Sequence, residues 1–105
     1  MKQRYRPRIA LRVPVRFTGE TQIGQGHILD LTVPGCLIES PTLVHQGQSL
    51  QLEMFIPGLT FPLSVSLGVV RWKKGNRFGV EFIKMHESQQ HLLHRWMAQY
   101  EVTVL

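Results

Sequence analysis

Apolar residues fall at every second position in one stretch after another of this chain. That period belongs to strands with one buried face. Leu11, Val13, Val15 and Phe17 alternate with Arg12, Pro14 and Arg16. Leu50, Leu52, Met54 and Ile56 repeat the pattern over 49–56, and Leu63, Val65, Leu67 and Val69 repeat it over 61–72. Two shorter runs, HILDL over 27–31 and GCLIES over 35–40, read as further strands. Phe78, Val80 and Phe82 form a return strand after the hairpin turn Lys73-Lys74-Gly75-Asn76. The polar, Gly-rich 18–26 and the segment 41–48 read as loops, and Pro57-Gly58 marks a turn. Pro34-Gly35 suits the centre of a type II turn, with Gly35 at positive φ. Pro14 lacks an N–H and belongs on an edge or beside a bulge; Gly68 marks a bulge or a close approach. Six such strands at short intervals predict a small antiparallel barrel. The period then changes. Leu92, Leu93, Trp96, Met97 and Tyr100 fall at helical spacing and predict one amphipathic helix over about 87–100, packed on the barrel or across its mouth.

Charge divides the chain differently. The net charge is +5 over 105 residues, yet Lys2, Arg4, Arg6, Arg8, Arg12 and Arg16 supply six of the twelve basic side chains before the first acid, Glu20. From residue 20 onward, six basic side chains face seven acidic ones. The positive charge therefore sits in an N-terminal arm, which suits it to anions or acidic surfaces. Pro7 biases Arg6 away from helix, so residues 1–10 are expected to form a flexible basic arm ahead of a single domain, 11–105. The length suffices for one modest core without staples. Cys36 is the single cysteine, so no internal disulfide can form and a reducing compartment is expected. No apolar run approaches the ~20 residues of a membrane span, and none follows the basic start as a secretory signal requires. The expectation is a cytoplasmic protein without membrane insertion. His91 and His94 have no evident third ligand, so no metal is expected. No catalytic Ser/His/Asp or Cys/His order and no phosphate-cradling glycine loop is present, so the chain is not expected to be an enzyme.

Two short patterns stand in order on this framework. Arg4-Tyr5-Arg6-Pro7-Arg8 places arginines four apart ahead of the first strand, and Asp30-Leu31-Thr32-Val33-Pro34-Gly35 places an acid, a hydroxyl and a glycine across a turn. In this order the chain resembles the PilZ domain family, whose signature is RxxxR followed some twenty to thirty residues later by (D/N)xSxxG. The likeness extends to the strand order, to Trp72 late in the fifth strand, to Gly79-Val80-Glu81-Phe82 in the sixth and to the terminal helix. It departs from the pattern at Thr32, where the family has serine. The resemblance implies a PilZ-like six-stranded barrel and a bacterial receptor for cyclic di-GMP, signalling through an effector protein in motility, biofilm or pilus regulation. It implies ligand-binding roles for Arg4, Arg8, Asp30, Thr32 and Gly35, with Arg6 and Trp72 as further candidates.

The residue types suit that ligand. An arginine fork pairs with phosphate oxygens or with guanine O6/N7, and its flat face stacks on a purine. In an extended arm Arg4 and Arg8 stand at most ~13–14 Å apart, enough to address both sides of a dinucleotide. An ionised Asp30 accepts from the guanine N1–H and N2–H₂ edge. Thr32 donates or accepts, and Gly35 lets the backbone approach a ring. The expected mechanism is an arm that is mobile when free and orders over the ligand. Blander roles exist for the same residues: Asp30 and Thr32 suit the pinning of a turn, and Trp72 suits packing. Arg12 and Arg16 suit the polar face of a strand, Trp96 the core, and Arg71, Lys73, Lys74 and Arg77 a solvated turn. One alternative function is a PilZ-like interaction adaptor that binds no nucleotide. Nucleic-acid polymers are not expected as partners, because Tyr5, Phe55 and Trp72 are the few aromatics available for stacking.

Overall fold

The computed structural model describes residues 9–104; Arg4, Arg6 and Arg8 lie outside them. Six strands run β1 (Ile9–Thr18), β2 (Ile23–Leu31), β3 (Gly35–Glu39), β4 (Ser49–Met54), β5 (Leu63–Lys74) and β6 (Arg77–Lys84), followed by helix α1 (Glu87–Val104). All neighbours are antiparallel, and the sheet closes on itself in the order β1-β2-β3-β6-β5-β4. Closure gives each of these six strands a partner on both sides, which removes the edge problem of an open sheet.

The alternation read in the sequence becomes the barrel interior. Val13, Val15 and Phe17 from β1 meet Leu50, Leu52 and Met54 from β4, and Leu63 and Val65 from β5, all buried. Each such side chain contributes roughly 1.5–3 kcal/mol on leaving water. Phe17 and Phe78 meet edge to face at 5.5 Å between ring centroids. Pro14 follows a slip in the β1–β2 register between Ala10 and Val13, and β4 pairing begins only at Val15. Its missing N–H thus falls where β4 asks for none, while its carbonyl accepts from Phe55 N–H at 3.0 Å.

Four expectations are corrected. Residues 23–26 are not loop but the start of β2, paired to Phe17, Thr18 and their neighbours. Gly24 and Gly26 are there for packing, since a Cβ on the first would meet the Phe17 ring and on the second the Glu39 carbonyl. Phe61 lies before β5 rather than in it and is 79% exposed. The alternation of β5 does not run through Val69, because the register slips between Leu67 and Gly68 and brings Val70 to the core instead. Gly68 stands at that slip, as a bulge residue should. Lastly, Pro34-Gly35 is not the centre of its turn. Thr32 and Gly35 exchange backbone hydrogen bonds at 2.9 and 3.4 Å, so Val33-Pro34 form the corner and Gly35 opens β3. Among the described residues only Gly47, Gly58 and Gly75 have positive φ.

Helix α1 starts from His86, whose carbonyl accepts from Gln89 and Gln90 N–H at 2.9 Å. It packs on β5 through buried Leu93 and Met97, with Leu92 and Trp96 partly covered against the same core. Gln89 Oε1 accepts from Ser64 N–H at 2.7 Å and pins the helix start to β5.

Candidate functional site

The register of four strands places the predicted site residues on one line. Asp30 stands opposite Leu37, Leu37 opposite Gly79 and Gly79 opposite Trp72. Three strand spacings separate the backbones of Asp30 and Trp72, about 14 Å along the wall. On the other side of β2, Asp30 pairs with Ala10, and Ile9, the first described residue, pairs with Leu31. The chain therefore enters the barrel at the end of the line that Asp30 occupies.

Two register slips turn this line outward. Ile28 and Leu31 are both buried although three apart, because the β2–β3 register slips between Ile28 and Asp30. The slip reverses the strand's phase and turns Asp30 out of the core, half-buried, with its Oδ1 closed off from solvent. A second slip, between Val70 and Trp72 on β5, turns Trp72 out of the core as well. An extra residue in one strand re-aims the side chains that follow it.

The result is a concavity of about 640 Å³ whose lining includes Asp30, Thr32, Gly35, Trp72, Arg71 and Glu81. That size lies within the range of small-molecule sites. Four of the predicted residues are thus together, Asp30, Thr32, Gly35 and Trp72. A separate hollow of about 770 Å³ contains none of them. Its two arginines are held by carboxylates, Arg12 by Glu39 at 3.5 Å and Arg16 by Glu53 at 2.9 Å, as polar-face strand residues.

Local chemistry fixes each residue. Thr32 Oγ1 donates to the Gly35 carbonyl at 3.0 Å and accepts from Gly35 N–H at 3.1 Å, so the hydroxyl closes the hairpin across its own corner. Gly35 is required for a reason the sequence did not suggest. The Val80 carbonyl oxygen fills the place a Cβ would occupy, so the glycine lets β3 and β6 approach rather than adopting a special φ. Trp72 is 45% exposed and lies over Gly79, where a Cβ would run into indole Nε1 and Cε2. The ring is seated against Gly79, and nearly half of the residue remains open to solvent. Cys36 is buried in the same wall; burial pushes its thiol pKa up strongly, and the nearby Asp30 carboxylate adds to the shift. It therefore stays protonated and is a poor nucleophile.

The structure also divides the second basic cluster. Arg71 belongs to the concavity and donates from Nε to Glu81 Oε1 at 2.6 Å. Arg77 reaches Glu39 at 3.2 Å, and Lys73 and Lys74 are exposed at the hairpin end. Reading Arg71 as part of a solvated turn missed its place. The usable signal was its position beside Trp72, opposite the glycine of Gly79-Val80-Glu81-Phe82.

Comparison with known proteins agrees with the fold. The barrel is similar to the structure of the Bacillus subtilis inhibitor of motility MotI/DgrA, with a TM-score of 0.77 and 14% identity over 98% of this chain. The match covers 53% of that protein, so the present chain spans about half its length. The barrel is also similar to the PilZ domain of CeSA from a cellulose-synthesizing bacterium, with a TM-score of 0.69 and 16% identity over 90% of this chain and 97% of that one. No curated protein matches the sequence significantly. The PilZ domain profile matches residues 2–99, nearly the whole sequence, from the basic arm to the helix. The chain belongs to the PilZ domain family, a family of cyclic di-GMP receptor domains.

Proposed function

We propose that this chain is a bacterial cyclic di-GMP receptor and adaptor, whose N-terminal arm orders over the ligand and whose altered surface is read by an effector protein. The observation that carries the reading is the cross-strand line from Ala10 through Asp30, Leu37 and Gly79 to Trp72. It carries a carboxylate and a half-exposed indole on one wall, their backbones about 14 Å apart, at the point where the arginine-bearing arm joins the barrel. Asp30 accepts from a guanine N1–H and N2–H₂ edge, the indole stacks on a base, and Arg4 and Arg8, with Arg6, neutralise the two phosphates. Thr32 and Gly35 set the height of the hairpin rim. MotI/DgrA is an inhibitor of motility, and a role in motility, or in biofilm or pilus regulation, fits an adaptor of this kind.

Isothermal titration with cyclic di-GMP, beside GTP and cyclic GMP, tests the reading. Saturable binding of cyclic di-GMP is expected, weakened more than about tenfold by Asp30→Ala or Arg8→Ala. No heat from the wild-type protein at about 100 μM ligand removes the proposal. A second reading, an adaptor that binds no nucleotide, draws support from Thr32, whose hydroxyl already donates and accepts within the hairpin. A partner protein retained equally with and without cyclic di-GMP favours that reading.

A further inference from the structure

We infer that Arg71 is a further ligand-contacting residue and that Glu81 holds it in reserve, so that a bound anion takes the guanidinium over from the carboxylate. The inference deepens the receptor reading above and rests on it.

The placement is built by the strand, not by a flexible tip. Val70 pairs with Val80 and Trp72 with Gly79, so Arg71 is the extra residue of the β5 slip. That slip leaves Arg71 and Trp72 both on the outer face, where alternation would have sent one of them inward. Both line the concavity. Glu81 stands opposite Gly35 on β3 and opposite Val69 on β5, beneath the hairpin that carries Thr32.

Among the described lining residues Arg71 is the one cation, set against Asp30 and Glu81. Its ion pair uses Nε alone, and a guanidinium has five N–H donors. Four donors therefore remain for a phosphodiester or for the O6/N7 edge of guanine. Both side chains are about half exposed, 54% and 47%. Exchange of one anionic partner for another at such a place does not strand a buried charge. The Arg16–Glu53 pair offers a contrast on the same outer surface, with both Nε and Nη2 engaged, at 3.1 and 2.9 Å, and with no place in this concavity. Arg71 is held instead by one short bond, at 2.6 Å, which leaves both terminal nitrogens of its guanidinium to a ligand.

Titration of five variants with cyclic di-GMP separates contact from background field. Arg71→Ala is expected to weaken binding about tenfold, Arg71→Lys to fall between it and wild type, and Arg16→Ala to stay within about twofold. Glu81→Gln is expected to tighten binding by freeing Arg71, and that gain should vanish in Arg71→Ala/Glu81→Gln. Removal of a repulsive charge alone would tighten binding in both backgrounds. The inference is overturned if wild type binds and Arg71→Ala binds within about twofold of it, or if the Glu81→Gln gain persists undiminished without Arg71; the receptor reading then stands. Absence of saturable binding by wild type removes both.

Discussion

The carbonyl oxygen of Val80 fills the position that a Cβ at residue 35 would take, so only a glycine there lets β3 and β6 pair this closely. Backbone cannot swing aside as a long side chain can. Gly35→Ala is therefore expected to destabilise the barrel by about 2–3 kcal/mol, measured by urea unfolding. If position 35 were glycine only to admit a ligand ring, the variant would lose affinity and keep its stability. Cys36, the next residue, makes a different prediction. Its folded-state pKa is raised by burial and by Asp30, above the ordinary 9.0. The folded protein then holds the thiol proton more tightly than the unfolded chain. Below pH 9 the contribution is fully present; above it, the unfolded thiol ionises and stability falls by up to about 1.4 kcal/mol per pH unit. Unfolding free energies at pH 8 and pH 10 should thus differ more for wild type than for Cys36→Ala. Equal pH slopes would contradict the assignment.

At the scale of the element, what the sequence disclosed and what it hid follow from one distinction. Alternation within a strand is local, so Val13, Val15 and Phe17, or Leu50, Leu52 and Met54, announced their buried face directly. A register slip is a property of two strands together, and no residue count along β2 alone says that Ile28 and Leu31 share a face. For that reason the sequence named Asp30 and Trp72 but not the line that joins them, and it left Arg71 in a turn. The same holds for Gly24, Gly26 and Gly35, whose partners Phe17, Glu39 and Val80 lie on other strands. The Trp72–Gly79 contact across β5 and β6 can be tested as a unit. Gly79→Ala puts a methyl group where the indole lies, so the ring must lift off the wall. Tryptophan emission should shift to the red at a stability cost of about 1–2 kcal/mol, since Trp96, packed on the helix side, is undisturbed. An unchanged spectrum would mean that the ring is not seated on Gly79.

For the molecule as a whole, the division of charge decides how an anion is drawn in. Residues 9–105, from the first strand onward, hold eight basic and seven acidic side chains, and four of those bases, Arg12, Arg16, Arg71 and Arg77, are already paired with Glu39, Glu53 and Glu81. A dianionic ligand therefore gains little from the field of the barrel. The attraction must come from the leading segment, which joins β1 at Ile9, opposite Leu31 and one residue from the partner of Asp30. Fold and capture are then separable, because the first buried core residue among those described is Val13. Replacing Arg4 and Arg8 together by alanine should leave the thermal midpoint nearly unchanged while weakening cyclic di-GMP binding by a hundredfold or so, two charge-assisted contacts of roughly 1.5 kcal/mol each. Salt provides the complementary measurement. Raising ionic strength from 0.1 to 1 M shortens the screening length from about 10 to about 3 Å, so wild-type affinity should fall steeply. The doubly substituted protein should show a flatter dependence, since two of the four cations ahead of Ile9 are gone. A parallel fall in both proteins would place the attraction on the barrel wall instead of the leading arginines.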